Sequence, residues 1–210
     1  MTAIVQLSKP SAPPVFYRGM GAPYSHHAPH IDILLGDRLK ARGFVGTRDS
    51  RKCVYAAVCL EHALEYTPDR DAPLLKSVRP LPGSVVTWVH GMRDMVISFE
   101  NHLRRLAHDG VPGYNGVRFA SLARDIQGDL DTAETYLRLG RQKKALSAMA
   151  DSFLDRLDIR EAAVDGNTDI EAVLDGHDGE IWINGPCEVM DFDPDAVYAP
   201  TAYVPTTPFA

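Results

Sequence analysis

Four groups of residues carry side chains of the kinds that do chemistry. Arg18, in Tyr17-Arg18-Gly19, follows the β-prone run Val15-Phe16-Tyr17, which puts a guanidinium at the end of a strand. A planar fork at a rigid strand end suits an anion held through parallel hydrogen bonds, a task for which lysine offers only a point charge; the same arginine could equally bond carbonyls of the turn at Gly19 and Gly21. The second group is Phe44-Val45-Gly46-Thr47-Arg48-Asp49-Ser50, with hydroxyls at Thr47 and Ser50. Asp49 and Ser50 are also natural helix N-caps, worth about 1 kcal/mol with no ligand at all. The third is Asp178-Gly179-Glu180, at the head of a late strand, where alternate residues share a face and two carboxylates come together; Asp-Gly is also a common turn signal. The fourth is the loop His26-His27-Ala28-Pro29-His30. Imidazoles suit zinc, yet adjacent histidines seldom face one ion and no second cluster with ligand spacing stands nearby, so this loop is read as solvated or cleft-lining and no metal is expected.

These groups need elements to hold them. Ile31 to Leu35 is an apolar run that Gly36-Asp37 interrupts as a turn, and a strand ending at Thr47 follows. Cys53, Ala57, Leu60 and Leu64 fall at i, i+4, i+7 and i+11, which predicts an amphipathic helix capped by Asp49 or Ser50 and ending by Thr67-Pro68. After a connection punctuated by prolines, Val85 to Val89 reads as a strand, with Trp88, His90, Arg93 and Asp94 at its junction with the next helix. Met92, Val96, Phe99, Leu103 and Leu106 are the core stripe of that helix, and the helical period continues over 118 to 158 with Gly128 and Gly140 as breaks. Ala133 to Leu146 is similar to half of a tetratricopeptide repeat, a helix hairpin that cannot bury its own stripe and is therefore read as part of a larger helical subdomain. Ile181 and Ile183 alternate with Trp182 and Asn184 in a strand that Gly185-Pro186 ends.

Composition bounds the partners. A chain of 210 residues with 45% hydrophobic and 24% charged residues can bury one good core, so a single globular domain is expected. A net charge of -6 opposes strong nucleic-acid binding, which needs clustered Lys and Arg. No apolar run approaches the roughly 20 residues of a membrane helix, and Met1 to Ser11 lacks the order of a signal peptide. Cys53, Cys59 and Cys187 neither pair evenly nor show finger spacing, as expected of reduced thiols in a cytoplasmic protein.

Taken in order, Tyr17-Arg18-Gly19, the segment around Thr47 and Asp178-Gly179-Glu180 resemble the Arg, Ser-Thr-Ser and Glu-x-Glu regions of mono-ADP-ribosyltransferases, including the small ones of bacterial toxins and tailed phages. The motifs cover about a tenth of the chain; Gly46 and Arg48 stand where the family has serines, and Asp178 where it has glutamate. The resemblance implies an α+β fold with a split β-sheet and helices flanking a cleft, elaborated by helices over about 91 to 158. On this reading residues 15 to 195 form the catalytic domain, 1 to 14 an extended lead-in and 196 to 210 a tail. It also implies NAD as substrate. Arg18 and Gly19 would hold the pyrophosphate or the nicotinamide-side ribose, Thr47, with Ser50 as the spare, would bond ribose, and Tyr17 would add aromatic surface. Glu180 would stabilise the oxocarbenium-like sugar through its 2'-hydroxyl, and Asp178 would orient the nucleophile of a macromolecular, most simply protein, acceptor. The rival expectation is a non-catalytic interaction or virion-type structural protein, in which the helical middle presents a binding face and these motifs are ordinary turns. Oligomeric state is not legible.

Overall fold

The computed structural model describes residues 16–19, 29–46, 48, 52–67, 75–109, 122, 125–126 and 129–193. The expected lead-in, the histidines at 26 and 27, the hydroxyls of Thr47 and Ser50, and the tail lie outside the described residues. The described chain is mixed α+β, with seven strands in one antiparallel sheet and six helices. The strands are β1 (Phe16–Gly19), β2 (Cys53–Ala57), β3 (Leu75–Pro80), β4 (Val85–Val89), β5 (Ile159–Ala163), β6 (Glu180–Asn184) and β7 (Cys187–Asp191). The helices are α1 (Pro29–Ala41), α2 (Leu60–Leu64), α3 (Met95–Asp109), α4 (Leu130–Arg138), α5 (Lys143–Leu154) and α6 (Ile170–Leu174).

The sheet order is β5-β4-β6-β2-β1-β3-β7. Its two halves are unequally joined. Within them, β2 pairs with β6 through five residue pairs, as do β4 with β5 and β3 with β7, whereas β1 meets β2 through Tyr17 opposite Ala57. Among the described residues, the junction between a four-stranded half (β5-β4-β6-β2) and a three-stranded half (β1-β3-β7) is therefore a narrow seam.

Each face of the sheet buries a core. On one lie Trp182 and Val89, covered by Ile31, Leu35 and Leu39 of α1, Phe99 and Leu103 of α3, and Leu146, Met149 and Phe153 of α5. On the other, Phe16, Val78, Val86, Trp88, Ile181 and Ile183 pack with Ile170 and Leu174 of α6. A smaller cluster of Ala57, Ala63 and Leu75 fixes α2 over the seam. Full burial of one such large side chain contributes about 1.5–3 kcal/mol, so the two faces dominate the favourable side of folding.

Three local expectations are corrected. Gly36-Asp37 does not turn the chain: α1 runs through it, because Ile31, Leu34, Leu35 and Leu39 make one buried helical stripe, and Gly36 is itself buried under the neighbouring helices. The span from Cys53 to Leu64 is not one helix but a strand followed by a short helix; Tyr55, at an alternate position, pairs with Trp182 across β6, and tertiary pairing overrides the local helical spacing. The segment Phe44 to Ser50 consequently links a helix to a strand rather than the reverse. In addition β3 and β7 form from stretches with no clear strand pattern, and Ile181, Trp182 and Ile183 are all buried because β6 is covered on both faces. The hairpin of α4 and α5, with Gly140 at φ 68° between them, is present as expected.

Candidate functional site

Glu180 opens β6, the strand next to the centre of the four-stranded half. Its backbone N–H donates to the Arg93 carbonyl at 2.9 Å, and the Val58 N–H donates to the Gly179 carbonyl at 3.0 Å, so the turn into the strand is held from both sides. The middle residue of Asp178-Gly179-Glu180 has to be glycine: a Cβ there would lie 2.3 Å from the Met92 carbonyl oxygen and 2.7 Å from the Arg93 Cα. This close approach brings the N-terminus of α3 against the Glu180 carboxylate.

The carboxylate is fixed by three donors. Oε1 accepts from Arg48 Nη1 at 2.7 Å and from the Trp182 indole Nε1 at 2.7 Å; Oε2 accepts from the Met95 backbone N–H at 3.2 Å. All three partners donate, which favours the ionised form, and its seat on the first turn of a 15-residue helix adds the favourable end of the helix dipole. Burial pushes its pKa up, Asp94 and Asp32 push the same way, and the Arg48 guanidinium and the Trp182 N–H oppose them.

Arg48 is only 2% exposed and is the hub of the site. Besides Glu180 it bonds Asp32 of α1, with Nε at 3.0 Å and Nη2 at 2.9 Å from Oδ1. Its guanidinium carbon stands 4.6 Å from the Trp182 ring centre and 5.0 Å from that of Tyr55, and the Tyr55 hydroxyl donates to the Arg48 carbonyl. The loop that delivers it is anchored from β5: Glu161 accepts from the Val45 N–H at 3.1 Å and the Gly46 N–H at 2.5 Å, and from Thr87 Oγ1 at 3.1 Å. A Cβ at Gly46 would lie 1.9 Å from that threonine oxygen, so glycine is what lets the loop sit this deep.

A second acid completes the rim. Asp94 caps α3, its Oδ1 accepting from the Ile97 N–H at 2.8 Å, while its Oδ2 accepts the Tyr66 hydroxyl. Burial raises the pKa of Tyr66, and the charges of Asp94 and Glu180 raise it further, so the hydroxyl keeps its proton. Tyr66 follows α2, and α2 rests on the end of β1 because residue 19 is glycine: a Cβ there would meet the Ala63 carbonyl oxygen at 2.4 Å. Gly19 thus has a packing role beside any contact with a ligand.

The residues expected from sequence fall as follows. Tyr17, Ala57 and Glu180 are opposite one another across β1, β2 and β6, so their side chains share one sheet face. Arg18 alternates to the other face, opposite Lys76 and near Cys187, whose thiol is pushed up in pKa by burial while the Arg18 charge opposes the rise. Asp178 is exposed just ahead of β6, where its charge reaches the Cys59 thiol in the turn after β2. Thr47 and Ser50 lie outside the described residues. Sequence reading missed Arg48, Asp32, Tyr55 and Tyr66; the one signal for Arg48 was its place inside the second motif. Among the described residues no group of three or more His, Cys, Asp or Glu could hold a metal ion. Among them, too, no helix is long and apolar enough to cross a membrane. Comparison of the chain with protein-family models, with curated proteins and with solved structures finds no match.

Proposed function

We propose that the protein transfers ADP-ribose from NAD to a macromolecular acceptor, with Glu180 as the acid that stabilises the reacting sugar. One observation carries the reading: Arg48, from the second motif, bonds Glu180, from the third, at 2.7 Å across 132 positions of chain. The first motif supports it too, with Tyr17 in the same cross-strand row as Glu180. The narrow seam between the two halves of the sheet supports the split core that the resemblance implies.

The chemistry follows from the donors. In the reaction the bond between the nicotinamide nitrogen and the ribose C1' breaks, and its electron pair leaves with nicotinamide. Positive charge grows on the sugar, and the acceptor then bonds to C1' and gives up a proton. Arg48 and Trp182 occupy Oε1, while Oε2 accepts one long bond from Met95, which leaves it able to accept the ribose 2'-hydroxyl. A carboxylate already oriented by three donors needs no reorganisation as the charge develops. Asp178, exposed at the mouth of the turn, is placed in this reading to orient the acceptor, and Tyr17 to offer a ring to a flat base. Arg18 faces the other side of β1, so any hold it takes on the pyrophosphate is at the strand end, away from the reacting carbon.

The test is incubation of the pure protein with labelled NAD and a bacterial lysate, following both label transfer and nicotinamide release. Wild type transfers label; Glu180→Gln, isosteric and uncharged, lowers the rate by at least about 100-fold; Arg18→Ala weakens saturation by NAD more than turnover. Absence of nicotinamide release in every lysate, or activity that survives both substitutions, would overturn the proposal and leave the non-catalytic interaction protein as the better account.

A further inference from the structure

The turn that delivers Glu180 is tied down by a buried histidine. His177 is 5% exposed, and its Nε2 lies 3.0 Å from the Glu180 carbonyl oxygen. A carbonyl only accepts, so Nε2 carries the proton and Nδ1 of the neutral ring holds a lone pair. That Nδ1 is buried and has no hydrogen-bond partner. His62, on α2, is 1% exposed and similarly set: its Nδ1 lies 3.3 Å from a Glu65 carboxylate oxygen, and its Nε2 is buried without a partner.

The charged and titratable groups facing His177 come from three directions. His62 stands on α2, with Glu65 bonded behind it and Arg93 paired to Glu65 at 3.2 Å. His90 stands in the turn after β4, and Asp178 on the loop itself. A proton added to Nδ1 would place a cation in a buried site near two further imidazoles, with the Asp178 charge and the Glu180 carbonyl in opposition. The ring would gain most by moving out to water, and its bond to the Glu180 carbonyl would go with it.

We infer that His177 is a proton-operated latch: neutral, it locks the turn 177–180 and seats Glu180 on Arg48 and the N-terminus of α3; protonated, it releases the turn and disarms the site in acid. Burial and the two neighbouring histidines hold the His177 pKa below the ordinary histidine value, while its bond to the Glu180 carbonyl and the Asp178 charge resist that fall. Linkage then fixes the sign. The open form binds one proton more than the closed form, so as pH falls below the ordinary histidine range the open population rises by up to about tenfold per pH unit. Above that range the latch stays shut. The effect on catalysis rests on Glu180 being the working acid; the latch itself does not.

The test therefore needs neither NAD nor an acceptor. Trp182, whose indole bonds Glu180, serves as the reporter in a Trp88→Phe background. Its emission should change with uptake of one proton below about pH 6.5 while far-ultraviolet circular dichroism stays constant. His177→Gln, whose amide can still donate to the carbonyl but does not titrate, should remove that change. Because the variant could be less stable, the wild-type protein also provides its own check: the His177 imidazole and the Glu180 to Ile183 amides should titrate with one midpoint in nuclear magnetic resonance spectra. Persistence of the Trp182 transition in His177→Gln, or separate midpoints for the ring and those amides, would overturn the latch and leave the ADP-ribosyl reading standing.

Discussion

Replacing Arg48 with methionine would leave the stem's volume in place and remove the guanidinium, so Asp32 and Glu180 would face each other without a cation between them. Breaking a buried ion pair from one side costs about 3–5 kcal/mol, because the remaining charge is neither hydrated nor paired. Urea unfolding of Arg48→Met should show a loss of that size, and the Glu180 side chain should titrate higher than in wild type, since the guanidinium is the main force holding its pKa down. A loss within 0.5 kcal/mol would mean that the Asp32–Arg48–Glu180 bonds are not formed in solution. Arg48→Lys should rescue little: an ammonium cannot reach Asp32 and Glu180 together while lying flat between Tyr55 and Trp182.

At the scale of the elements, helix α1 is capped from a distance. Glu134 of α4 accepts from the His30 backbone N–H at 3.0 Å through Oε1 and the Ile31 N–H at 3.0 Å through Oε2, and its Oε1 also lies 2.5 Å from the His30 ring Nδ1. A carboxylate satisfying the first donors of a helix replaces the local serine or aspartate that the sequence lacks there. At its other end α1 is tied to α5, with Arg38 and Arg42 both on Asp151. Glu134→Ala should therefore cost about 1–2 kcal/mol in denaturant titration and slow-exchange protection should fall first at the start of α1. If protection is lost uniformly instead, the cap is not what orders that end. The helical period was legible for α3, α4 and α5 because their stripes are long; it misled at Cys53 to Leu64, where a five-residue strand and a five-residue helix happen to mimic one stripe.

For the whole molecule, pH sensitivity is built into the contact between α3 and α5. His102 is fully buried, stacks near Phe99 and Phe153, and bonds Ser152 Oγ at 2.9 Å. Burial lowers its pKa to about 4, and the charges of Arg156 and Arg105 push the same way. It must fold neutral, whereas the unfolded chain protonates near the ordinary value of about 6.5. Its contribution is thus complete above that value and declines as pH falls toward 4, by at most about 3 kcal/mol in all. His102→Phe should flatten the stability curve across that window in chemical denaturation, and a wild-type stability that stays level there would contradict the assignment. This global loss is separable from the local latch at His177, which acts while the fold is intact.

Legible from residue order alone were an apolar core with a helical middle, strands at Val85 to Val89 and Glu180 to Asn184, and the place of Glu180 at the head of its strand. Those features depend on short-range periodicity, which neighbouring residues set. Only the folded molecule puts Tyr17 rather than Arg18 on the face of Glu180, because strand register is chosen by pairing across β1, β2 and β6. Only it could show Arg48 as the hub. A buried guanidinium is tolerated where carboxylates from α1 and β6 and the rings of Tyr55 and Trp182 close around it, and those partners lie up to 134 positions away, beyond the reach of any local pattern.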